Sequence, residues 1–285
     1  MRRTRSLQTI VFLLAVTVSD VAVEAADRVE KVFSVSSSPS IAITNYAGTI
    51  RAQGWPNAEI KLVATNYSKH AAIQMETSSN WVRVTTQVED RLAKAEAVRV
   101  DYELWVPRDS SLEVHSNMGS VEVAGIRGDV NIDVMNAAVL VTDTSGAARV
   151  NSLDGRVEIR QAQGIVHVTT VSGDIVLQEI KSRSITASAA TGNLLYEGDF
   201  LPGGKYQLSS YEGSILVQCP AQASVEWNAK SVNGGIESNL PIESKRRYAR
   251  RSSSPNIHAL VGTLNSGGAT VNLFTTTGKI RIHRK

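Results

Sequence analysis

The sequence is short of the features that announce a chemistry. Its 285 residues hold one cysteine, Cys219, which excludes an intrachain disulfide and any metal site built on paired thiolates. No sign of charge dominates. Thirty Lys and Arg against 27 Asp and Glu leave a formal +3, too thin over this length to predict a nucleic-acid partner. No Gly-x-Ser-x-Gly elbow is present. Five histidines (His70, His115, His167, His258, His283) are scattered without metal-ligand spacing, so neither metal nor other cofactor is implied. No apolar run reaches the roughly 20 residues that a membrane-crossing helix needs. What remains, 42% hydrophobic and 20% charged residues, is the composition of a folded chain with a packed interior.

The first segment reads as an address. Arg2, Arg3 and Arg5 precede the apolar run Ile10–Val18, and Val23-Glu24-Ala25 supplies a signal-peptidase context. Residues 1–25 are expected to be a cleaved secretory signal, with the exported chain starting near Ala26. No cysteine follows the apolar run, so a lipoprotein anchor lacks its acceptor there. An exported protein of the periplasm or extracellular cell envelope, without a transmembrane anchor, is the expectation.

A nine-residue period organises the middle of the chain. Gly119, Gly128, Gly146, Gly155, Gly164 and Gly173 stand on one grid, whose missing mark is Ala137. Counting each mark as zero, positions two and four run from Val121/Val123 to Ile175/Leu177, and all fourteen are apolar. Position three between them is mixed: Glu122, Asn131, Leu140, Arg149, Glu158, His167, Val176. That alternation marks strands with one buried face. Position seven is apolar in six of seven units (Ile126, Met135, Leu153, Ala162, Val171, Ile180, with Thr144 the exception), and it predicts a third inward contact in every unit. Nine residues make one short strand and one turn. An antiparallel meander and a parallel solenoid both fit. Hairpins more often show two-residue Asn-Gly or Asp-Gly loops between longer strands, and the four- or five-residue links here favour the solenoid. The predicted fold is therefore all-β: a parallel β-solenoid with two short strands per eighteen-residue coil. Its rungs would be spaced by roughly 4.8 Å.

Past Gly173 the phrase returns at wider spacing at Gly192, Gly213, Gly234 and Gly278, and the insertions are expected to bulge from the corners. The largest, 241–256, carries Lys245, Arg246, Arg247, Arg250 and Arg251; it is expected to be a solvated loop, with contact to an anionic surface as its functional alternative. Residues 26–111, strand-like but irregular, are expected to form a capping region with one helical turn near Asp90 to Ala97, and 112–285 the repeats. A cap shields the backbone groups of a terminal coil.

Two chemistries can be tested on the repeats. In calcium-binding β-rolls an acidic residue recurs at every turn, but here the residue after each mark is Ser120, Asp129, Ala138, Ala147, Arg156, Ile165 or Asp174, two carboxylates in seven. A glycan-cleaving pair would have to be Glu122 and Glu158, which share one sheet face. They fall two rungs apart, roughly 9.6 Å, with Leu140 between them and Arg160 placed to pair with Glu158, a poor arrangement for inverting chemistry at about 6.5 to 9.5 Å. Cys219, at the end of Ile215-Leu216-Val217, reads as a small buried hydrophobe. Trp55, Trp81, Trp105 and Trp227 are dispersed, which suits packing better than a sugar platform.

Tyr102-Glu103-Leu104-Trp105-Val106-Pro107 leading into Leu112-Glu113-Val114, then Gly119-Ser120-Val121-Glu122-Val123 and the returning Gly-x-Ile/Val-x-Val/Ile phrases resemble the bacterial adhesin-like family of extracytoplasmic β-strand-repeat proteins known as domain of unknown function 4097. The resemblance implies a β-solenoid of the cell envelope without established catalytic residues. The expected function is thus a non-enzymatic scaffold whose sheet faces meet an envelope protein or polysaccharide. One face would present Asn131, Arg149 and His167. The other, favoured for protein contact, would present Glu122, Leu140, Glu158, Arg160 and Val176. A secreted glycan-acting enzyme or carbohydrate-binding module is the alternative.

Overall fold

The computed structural model describes residues 26–89, 94–244 and 258–285. The expected leader (1–25) and the basic residues Lys245, Arg246, Arg247, Arg250 and Arg251 lie outside the described residues. Within them there is no α-helix, and one 3-10 turn at Ala95–Val98 overlaps the expected helical turn. The first strands are β1 (Asp27–Ser34), β2 (Ser40–Trp55), β3 (Glu59–Asn66), β4 (Ala71–Thr77), β5 (Trp81–Val88) and β6 (Val100–Pro107). The repeats form β7 (Ser111–Ala124), β8 (Val130–Thr144), β9 (Ala148–Asp154), β10 (Val157–Ala162), β11 (Val166–Ser172), β12 (Ile175–Ile180), β13 (Ser184–Thr191), β14 (Leu194–Gly198), β15 (Lys205–Glu212) and β16 (Ile215–Cys219). The remainder are β17 (Val225–Asn233), β18 (Ile236–Ser238), β19 (Glu243–Ser244), β20 (His258–Leu264), β21 (Ala269–Thr277) and β22 (Ile280–Arg284).

The fold is β-solenoid-like. Throughout the repeats equivalent strands pair in parallel. The long β7 and β8 each cross a corner and serve both sheets; above them each rung is two strands, β9 with β10, β11 with β12, and so on. The register advances by eighteen residues from Val139 to Val157 to Ile175, then by nineteen to Leu194 and twenty-one to Ile215. The meander is excluded for the repeats: among the described residues antiparallel pairs occur only toward the ends, at β1–β3, β3–β6, β4–β5, β17–β20 and β19–β20.

Stacking follows chain order from Ser111 to Cys219 but not beyond. At the carboxyl end β21 and β22 slide between the rung of β15 and β16 and that of β17 and β18. At the amino end β2 lies between β7 and the pair β5 and β6, so the segment 40–55 supplies a whole rung. Insertion gives each such strand hydrogen-bonded neighbours on both sides over most of its length, which leaves few of its backbone groups at an open edge.

The alternation produces the core. All fourteen residues at positions two and four of the repeats are 2% exposed or less. Position seven does not behave uniformly. Ile126, Thr144, Ala162 and Ile180 are buried, whereas Met135, Leu153 and Val171 are about half exposed. The backbone explains the split. In the first set the preceding residue (Gly125, Asp143, Gln161, Glu179) has φ between 54° and 70°, a left-handed step that turns the next side chain inward. The other corner lacks that step, so position six points in instead, as Val134, Ser152 and Thr170. Ser152 and Thr170 donate there to the carbonyls two residues on, at 3.2 and 3.0 Å, which keeps a buried hydroxyl satisfied.

The glycine marks are a packing requirement. At Gly173 φ is +131° and a Cβ would stand 2.2 Å from the carbonyl oxygen of Gly155 on the rung below. The wider coils past it do not simply bulge outward. Phe200, 7% exposed, turns back to meet Tyr196, Tyr206 and Trp227 with ring centroids 5.2, 4.9 and 5.5 Å away, because an aromatic ring gains more from burial than from solvent.

Candidate interaction surface

Two flat sheets and the corner joining them are the surfaces on offer. On the first sheet the register puts Glu113, Asn131, Arg149 and His167 in one outward row, continued by Thr186. His115, Asp133, Asn151 and Thr169 form the row beside it. Neighbours in these rows tie to one another across rungs. Asn151 donates to Asp133 at 2.7 Å, and His115 stands 3.0 Å from Glu113 and 3.5 Å from Asp133. Asn131, Arg149 and His167 are brought together as the period predicts. Their face is a polar ladder.

The second sheet aligns Arg51, Glu122, Leu140, Glu158 and Val176. Glu122 accepts from Arg51 at 3.1 Å. Glu158 is held by Arg160, as expected, and by Arg156 at 3.4 Å. Both carboxylates are therefore committed to guanidinium groups, with Leu140 between them. Val176 departs from the expectation of an exposed apolar contact: it is 7% exposed. A short branched side chain between the longer Glu158 and Leu195 on its flanking rungs is shielded by them. Leu195 and Leu216 extend the same row; counting position three onward from Gly192 and Gly213 identifies them in the sequence. At the amino end this sheet is indented by a depression of about 390 Å³ lined by Arg51, Glu103, Trp105, Glu122 and Leu140. Lys61 Nζ stands 5.6 Å from the centre of the Trp105 ring.

A row of exposed apolar side chains lies at the corner instead. Met135, Leu153 and Val171 are 51, 49 and 50% exposed, and they occupy the same place on successive rungs between Val134/Asn136, Ser152/Asp154 and Thr170/Ser172. Two rungs further Tyr211, 60% exposed, holds that place between Ser210 and Glu212. The row borders a groove with His115, Asp133, Asn151 and Thr169. Nine-residue counting hides it, because it assigns every position seven to the core.

Other reactive groups are sequestered. Cys219 is fully buried, donates toward the Pro220 carbonyl at 3.4 Å, and burial pushes its thiol pKa up to about 12, so almost none is thiolate at neutral pH. Burial likewise pushes the Tyr102 phenol up to about 12, against a partly opposing hydrogen bond with Thr86. Among the described residues no group of three or more His, Cys, Asp or Glu could hold a metal ion, and no helix is long and apolar enough to cross a membrane.

Parallel rungs punctuated by glycine and carrying no enclosed acid–base cluster among the described residues define a class of repetitive β-scaffolds. The chain belongs to the Toastrack DUF4097 family, whose model matches residues 19–283. Two solved structures are similar to it over most of their length. One, a candidate cell adhesion protein from Clostridium sporogenes ATCC 15579, is 12% identical, with a TM-score of 0.26, over 91% of this chain and all of its own. The other, a candidate adhesin from Bacteroides fragilis NCTC 9343, is 10% identical with a TM-score of 0.43, over 91% of this chain and 97% of its own. No curated protein matches the chain.

Proposed function

We propose that this protein is a non-enzymatic, adhesin-like scaffold of the cell envelope, exported by its first 25 residues and built as a parallel β-solenoid that holds a macromolecular partner along one corner. The observation that carries this reading is the row Met135, Leu153 and Val171, half exposed in single file beside the Asp133, Asn151 and Thr169 ladder. Apolar residues repeated on successive rungs give a shallow, multivalent contact whose pieces add because a rigid sheet holds them in line. The test is retention of envelope vesicles by the immobilised protein. Leu153→Asp with Val171→Asp is expected to lose most of that retention while remaining folded by far-UV circular dichroism. Equal retention by the variant and the parent overturns the assignment.

One observation favours a carbohydrate-binding reading as the second choice. The depression on the second sheet puts the Trp105 ring beside Glu103, Arg51 and Glu122, a ring and polar groups converging as a sugar requires. Binding on a glycan array that is lost in Trp105→Ala supports it. Turnover lost in both Glu122→Ala and Glu158→Ala would add catalysis.

A further inference from the structure

Among the described residues β1 pairs with β3 alone, so its far side is an open sheet edge. Open edges are commonly blunted with charge, and Asp27–Ser34 reads Asp-Arg-Val-Glu-Lys-Val-Phe-Ser. Charges of one sign would repel a second copy in every register; here both signs are present. Two copies of an edge related by a two-fold axis normal to the sheet pair antiparallel. Because side chains alternate faces, only registers that set a residue opposite one of the same parity keep both faces intact. Centring the axis on Glu30 opposes Glu30 to itself, and centring it on Lys31 opposes Lys31 to itself. Centring it on Val29 sets Asp27 against Lys31, Arg28 against Glu30, and Val29 against Val29, so four pairs of opposite charge flank an apolar centre.

We propose that β1 is a homodimerisation edge, joined to the β1 strand of a second copy of this chain in the register centred on Val29. The contact extends the β6–β3–β1 sheet into its partner by main-chain hydrogen bonds, with side-chain pairs choosing the register. Glu30 is turned to the outer face, where Lys61 of β3 meets it at 2.8 Å from one side, and the incoming Arg28 would approach it from the other. The two-fold consumes the edge it uses, so assembly stops at two rather than running on as a fibre.

The geometry can be read by cross-linking the exported chain. Across the axis two Val29 Cα atoms would lie about 4.5 to 5.5 Å apart, within disulfide reach, whereas two Lys31 positions are four residues out of step, about 14 Å. Val29→Cys is expected to form a covalent dimer under mild oxidation and Lys31→Cys to stay a monomer. The buried Cys219 gives no background. In sedimentation at about 100 μM, well above the micromolar dissociation constants of weak interfaces, the parent is expected at twice the monomer mass. Lys31→Glu should lose the dimer by facing Asp27, and Asp27→Lys with Lys31→Glu should regain it. A monomeric parent, a charge-swapped double variant no better than Lys31→Glu, or bridging by Lys31→Cys in place of Val29→Cys overturns the proposal. All substitutions lie on an exposed strand, and unchanged Tm separates lost association from lost folding.

Discussion

Val171 and Ile180 stand nine residues apart at the same point of the repeat, yet the same substitution should have opposite consequences at the two. Ile180 is fully buried and Val171 half exposed. Ile180→Asp forfeits a core aliphatic, by analogy with truncation to Ala about 2 to 5 kcal/mol. It also strands a carboxyl among apolar neighbours at about 1 to 3 kcal/mol even after it neutralises. The sum, on the order of 5 kcal/mol, is comparable to the whole stability of many domains at about 5 to 15 kcal/mol. Val171→Asp gives up roughly half the transfer energy of a valine, about 1 kcal/mol, because half of that side chain already faces water. A further loss of up to about 1 kcal/mol reflects the poor strand preference of Asp. The assay is urea unfolding followed by far-UV circular dichroism. Ile180→Asp is expected to unfold at much lower denaturant or to show an early partial transition, since a stack of rungs can open locally. Val171→Asp should shift the midpoint by less than half as much. Equal shifts would mean that position seven points the same way in both units, and the corner assignment would fall with it.

Gly173→Ala would press a Cβ within 2.2 Å of the Gly155 carbonyl at a backbone angle reserved for glycine, so a loss of about 2 kcal/mol or more is expected. Ala137→Gly, by contrast, should lower the unfolding free energy by no more than about 1 kcal/mol. Raised acid pKa values carry a definite sign: Tyr102 and Cys219, both pushed up to about 12, ionise more readily unfolded, so stability is full below pH 9 and falls as pH climbs from there toward 12. Each tenfold weakening of an acid is worth about 1.4 kcal/mol, and on that basis the tyrosine accounts for roughly 3 kcal/mol of the fall. Denaturation midpoints from pH 8 to 11 should decline less steeply in Tyr102→Phe, and an undiminished slope counts against its burial. The native Cys219 thiol should stay unmodified by Ellman's reagent at pH 8 until denaturant is added.

Much of this architecture is legible in one dimension because a solenoid repeats its chemistry along the chain. Glycine every nine residues and valine or isoleucine two and four beyond it are enough to place Val121, Val139, Val157 and Ile175 in one buried column, and the parallel register does stack them. The same regularity misleads at the corners. Asp143, Gln161 and Glu179 adopt φ near 55°, although nothing in their side chains demands it. The left-handed step comes from the arc the backbone must make to reach the next rung, a tertiary requirement that no nine-residue window contains. Its effect falls on the residue that follows, so Ile180 enters the core while Val171 and Leu153 are left outside. Strand insertion is hidden for a similar reason. Ile280 pairs with Ile215 on one side and Ile236 on the other, and only the folded stack shows that the last strands enter between rungs made earlier. The apolar corner row and the β1 edge therefore arise at the two places where the repeat stops dictating its own neighbours, and at both the exposed pattern depends on stacking geometry rather than on local preference. A surface of that origin can be altered residue by residue without disturbing the buried columns, because the side chains that face out take no part in the alternation that holds the rungs together.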